Sequence, residues 1–91
     1  MFDSVLSTSI IVSMTGKPNI INQKICLKIK IERIKRGWSQ DTLSEYCGIS
    51  KNSIGAIERG KSNPSSLTLA KIATAFDITV SELTDISKVD L

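Results

Sequence analysis

No histidine stands anywhere in the 91-residue chain, and its two cysteines, Cys26 and Cys47, lie 21 residues apart with no C-x-x-C pair. A zinc site would need further ligands of a kind this composition does not supply. Without histidine, and without a nucleophile beside a base, paired carboxylates in a cleft or a phosphate-cradling glycine loop, enzymatic chemistry has no candidate residues. Aromatic residues are also scarce, one Trp, one Tyr and two Phe, so the core must be built from Ile, Leu, Val and Ala. No apolar run approaches the ~18 residues of a membrane span. A chain this short buries only about two-thirds of its unfolded surface, which makes one small domain and no deep cleft.

What is present is basic charge, and it is unevenly placed. Residues 24–61 hold nine Lys or Arg against four Asp or Glu, whereas residues 62–91 hold two against four. Such concentration is expected of a surface that faces phosphates, although a solvated helix face would give the same count. The two cysteines fall on apolar helix faces and are expected to be small buried thiols in a reducing cytoplasm.

The first 19 residues differ in texture from the rest. They are rich in Ser and Thr, carry the apolar run Ile10, Ile11 and Val12, and close on the breaker cluster Gly16, Pro18 and Asn19. Asp3, the absence of early Lys or Arg and the shortness of the apolar run do not fit the pattern expected of a signal peptide. This extension is expected to be disordered or to form a short strand that pairs with its own copy in a dimer. Met14 offers a second start for the chain.

From Ile20 the apolar residues recur at helical spacing. Ile25 and Ile29, with Ile31 and Ile34, line a first helix over roughly 21–36, stopped by Gly37. Ser39 caps a second helix over about 40–47, with Leu43 and Cys47 inward and Gly48 at its end. Ser50 caps a third over Lys51–Arg59, and the two-residue link Gly48-Ile49 forces a steep crossing. Ser65 or Ser66 caps a fourth helix that runs to Phe76 through Leu69, Ile72 and Ala73. Thr79 and Glu82 form a capping box for a last short helix holding Val80, Leu83 and Ile86. The expected architecture is therefore all-α: five helices over residues 20–86 and a tail at 87–91.

The segment WSQDTLSEYCGISKNSIGAIERGKSNPSSLTLAKIATAFDITVSEL resembles the Cro/C1-type (XRE) helix-turn-helix regulators. The resemblance rests on Ser39-Gln40, Leu43, the Gly48-Ile49-Ser50 turn, Ile54, the Ile57-Glu58-Arg59-Gly60 run, Pro64, Leu69, Ile72-Ala73 and Leu83. It implies a compact lambda-repressor-like domain and a sequence-specific regulator, a repressor, that binds a palindromic operator in double-stranded DNA as a homodimer. It also implies that the third helix enters the major groove.

Lys51 and Asn52 would then read bases, with Ser53, Gly55 and Ala56 on the same outward arc. Gln40, Arg59, Lys61, Ser62 and Asn63 would meet phosphates, while Lys35 and Arg36 would either reach the DNA backbone or stay solvated. Arg33 and Glu58 match positions that pair as a partly buried ion pair in relatives. Two departures bear on the register of the first helix: Ser44 stands where relatives usually have Ala, and Glu32 where many have Leu. The dimer surface would come from the fifth helix and C-terminus or from the N-terminal segment. No cofactor, metal, membrane or small-molecule ligand is implied. The alternatives are an antitoxin-type module that binds a partner protein and autoregulates on DNA, and a restriction–modification controller.

Overall fold

A computed structural model describes residues 20–89, so the expectations for the N-terminal extension lie outside the described residues. The five helices are α1 (Ile20–Lys35), α2 (Gln40–Cys47), α3 (Lys51–Glu58), α4 (Ser66–Phe76) and α5 (Val80–Leu83). No strand occurs among the described residues.

The helix boundaries follow from local chemistry. Ser39, Ser50 and Ser65 each hold extended backbone and accept a hydrogen bond from the N–H three residues on, satisfying one of the donors that a helix start leaves open. Ser65, rather than Ser66, is thus the α4 cap. At α5 the capping box is complete, with the Thr79 hydroxyl accepting from Glu82 N–H and the Glu82 carboxylate from Thr79 N–H. Gly48 closes α2 at φ +72°, its N–H returning to the Ser44 carbonyl. That left-handed conformation lets the chain leave α2 and re-enter a helix three residues later.

Packing places Cys26, Ile29, Leu43, Cys47, Ile54, Ile57, Ile72, Ala73, Phe76 and Leu83 in one core. Each fully buried Ile or Leu contributes roughly 1.5 to 3 kcal/mol of apolar transfer free energy. Both cysteines are free and buried, and burial pushes both thiols up from their ordinary value, which keeps them neutral. Trp38, in the α1–α2 turn, fills the edge of this core, its ring 4.7 Å from Tyr46 and 5.7 Å from Phe76.

Two expectations for α1 are corrected. Ile31 and Ile34 do not line the buried face but are exposed, 37% and 56%. The position between them is taken by Glu32, which is buried. It is tolerated there because Arg36 donates to its Oε1 at 2.7 Å while Lys35 and Lys28 stand 3.4 and 3.6 Å from Oε2. Arg36 in turn donates to the Phe76 carbonyl at 2.8 Å and lies 4.7 Å above the Phe76 ring. Glu32 and Arg36 thus connect α1 to the end of α4 through a polar cluster. Burial pushes the Glu32 carboxyl up, but the Arg36 hydrogen bond and the Lys35 and Lys28 charges outweigh this and hold it below its ordinary value.

Beyond α5, Val89 returns to the body of the domain and is buried. The sequence reading left it in the tail, because a lone Val without helical periodicity carries no signal of burial.

Candidate nucleic-acid interface

The helix-turn-helix unit is α2, the Gly48-Ile49-Ser50 turn and α3. Ile54 and Ile57 hold the inner face of α3, both buried, while Lys51, Asn52 and Ser53 are exposed on its first turn. Eight residues at 1.5 Å per residue make a rod of about 12 Å, about one major-groove width. Ser44 fixes the turn from within. Its hydroxyl donates to the Ile49 carbonyl, a bond that an Ala at this position could not make.

Arg33 of α1 and Glu58 of α3 meet in a bidentate pair, with Nε 2.7 Å from Oε2 and Nη2 3.0 Å from Oε1. The third Arg33 donor reaches the Trp38 carbonyl at 2.7 Å. Glu58 Oε1 also accepts from Gln40 Nε2 at 3.0 Å. One carboxylate therefore joins α1, α2 and α3, its charge balanced by Arg33 and its Oε1 further satisfied by the neutral Gln40 amide. Gln40, half-buried, is held by that carboxylate rather than left to sample solvent.

The remaining residues singled out from the sequence are placed as follows. Arg59, Lys61, Ser62 and Asn63 are all exposed, at the end of α3 and in the loop before α4. That loop is tied to α1: Asn22 Nδ2 donates to Asn63 Oδ1 at 2.6 Å, and the Cys26 thiol lies 3.8 Å from the Ser62 carbonyl. These ties escaped sequence reading because the partners are about 40 residues apart. Lys51 stands 3.5 Å from Asp41 in an exposed pair, worth little in water.

Gly55 differs from expectation. It is buried rather than open on the outward arc, because the Arg59 side chain folds back over it. Ala56 is half-buried. Arg36 is engaged with Glu32 and Phe76, which leaves its guanidinium no free fork for DNA.

No group of three or more His, Cys, Asp or Glu able to hold a metal occurs among the described residues. No helix among them is long and apolar enough to cross a membrane.

Residues 29–83 match the family described as HTH_3, helix-turn-helix. The chain is 46% identical over 50 residues to the HTH-type transcriptional regulator SutR of Escherichia coli (strain K12), a match covering 55% of this chain and 28% of that protein. It is 36% identical over 56 residues to the uncharacterized HTH-type transcriptional regulator YgzD of Bacillus subtilis (strain 168), covering 62% of this chain and 85% of that one. Among solved structures, the restriction-modification controller protein C.AhdI from Aeromonas hydrophila is similar at a TM-score of 0.64 and 37% identity, over 66% of this chain and 91% of that chain. The match to SutR thus spans little more than a quarter of that regulator's length. With the match reaching from the middle of α1 through α5, the chain belongs to the HTH_3 family of Cro/C1-type helix-turn-helix DNA-binding transcriptional regulators.

Proposed function

We propose that the chain is a sequence-specific repressor, acting in the cytoplasm, that binds a palindromic operator as a homodimer with α3 in the major groove of each half-site. The observation that carries this reading is the division of α3. Ile54 and Ile57 are buried, whereas Lys51, Asn52 and Ser53 project into solvent with no role in the core. Lys51 suits guanine O6 and N7, and Asn52 suits adenine N6 and N7. Gln40, Arg59, Lys61, Ser62 and Asn63 meet phosphates on either side. A module of this size makes few contacts, so two copies across half-sites one helical turn apart give the affinity a regulator needs.

Selection of bound sequences from a random DNA pool, with sedimentation of the complex, tests the reading. A palindromic motif bound by two copies is expected. Failure to enrich any motif overturns it. Asn52→Ala should then relax preference at one base pair per half-site by roughly 1 to 3 kcal/mol.

A narrower form of the same reading, a restriction-modification controller, is favoured by the similarity to C.AhdI, of which 91% is covered.

A further inference from the structure

Arg59 carries a charge that the fold does not use. The guanidinium groups of Arg33 and Arg36 are engaged by protein acceptors, whereas Arg59 has no ion pair or side-chain hydrogen bond among the described residues. Nevertheless its position is defined. Arg59 follows Gly55 by four residues, and side chains on a helix lean toward its N-terminus, over the preceding turn. A Cβ on Gly55 would stand 3.0 Å from Arg59 Nη1, 3.9 Å from its Cζ and 3.7 Å from Gln40 Oε1. The guanidinium therefore occupies the space that a side chain at position 55 would fill, beside the Gln40 amide.

Gln40 is itself held, because its Nε2 donates to Glu58, and this leaves Oε1 on the side of Gly55 and Arg59. Lys51, Gly55 and Arg59 form one row at four-residue spacing along α3. In that row the middle place is taken not by its own residue but by the tip of the third.

We propose that Gly55 is a positioning residue: lacking a side chain, it seats the Arg59 guanidinium across the outward face of α3, beside Gln40, to contact the DNA phosphates that Gln40 meets. The inference rests on the DNA-binding reading above. A phosphate rather than a base edge is the ligand because Gln40 opens α2, and in a helix-turn-helix the first helix crosses the backbone while the second enters the groove. Gly55 then reads no base itself. Its absent side chain acts through Arg59.

The test is a double-mutant cycle with Gly55→Ala and Arg59→Gln, read by fluorescence anisotropy on a random-sequence duplex pool across a KCl series, with thermal melting of each free protein. A methyl at position 55 crowds the far end of the flexible Arg59 side chain and meets Gln40 Oε1 at ordinary contact distance, so Gly55→Ala should melt no lower than the wild type. Each single variant should bind about tenfold more weakly, as expected on losing one charge-assisted contact, and lower the salt slope by about 0.9. The double variant should bind no more weakly than Arg59→Gln alone. Wild-type binding and slope in Gly55→Ala, or losses that add in the double variant, would overturn the seat and leave the DNA reading intact. A wild-type chain that binds no duplex at all would overturn both.

Discussion

Glu58 of α3 presents both carboxylate oxygens to Arg33 of α1, at 2.7 and 3.0 Å, while one of them also receives the Gln40 amide. The side chains of the pair are 3% and 12% exposed, so water does little to replace either partner. Glu58→Ala is expected to lower the unfolding free energy by about 2 to 3 kcal/mol, since it strands a half-buried guanidinium. For a domain of this size that is a fall in Tm on the order of 10 °C. Thermal melting checks it, and an unchanged Tm with altered DNA affinity would show that the pair serves the interface instead.

Glu32 makes the fold sensitive to acid. Its carboxyl titrates below its ordinary value of 4.5, so the folded state binds this proton less readily than the unfolded chain does. The stability contributed is fully present above the ordinary value and is lost as pH falls through the lower folded value. Glu32→Gln should therefore flatten the acid limb of a stability–pH curve below about pH 4.5 and leave the neutral limb parallel to wild type. Urea denaturation at a series of pH values measures it.

Gly48 lies at φ +72° with open space around a would-be Cβ. Gly48→Ala thus meets no steric neighbour and isolates the backbone term, expected at about 1 kcal/mol of destabilisation. Chemical denaturation with an unchanged m-value would register it.

Two basic residues close to the interface should separate cleanly in a salt titration. Lys61→Gln removes an exposed charge and should reduce the slope of log K against log salt by about 0.9. Arg36→Gln should leave that slope unaltered and lower Tm, because Arg36 is held by Glu32 and by the Phe76 carbonyl and ring.

Where the sequence alone was readable, strong local chemistry marked the boundary. Serine caps, the Gly48 turn and the Thr79–Glu82 box depend on neighbours three or four residues away, and α2 to α5 begin where those residues stand. Helix α1 is harder to read, because it carries six isoleucines and several lysines with little contrast between faces. Residue type alone points every isoleucine inward, whereas Ile31 and Ile34 are exposed and a glutamate is buried. The deciding partners of Glu32 and Arg36 include Phe76, which periodicity within one helix cannot reveal. Spacing puts Gly55 on α3, but its burial depends on how Arg59 folds, a rotamer choice with no signature in the spacing of residues.

The first turn of α3 has a consequence for how such a domain changes over time. Lys51 pairs with Asp41 in the open, the Ser53 hydroxyl accepts from the Ser50 cap, and Asn52 is exposed. Substitution there leaves Ile54, Ile57 and the Arg33–Glu58 clasp untouched, so, on the base-reading role proposed for this turn, mutational drift would retarget the domain to new DNA while its folding stays under separate selection.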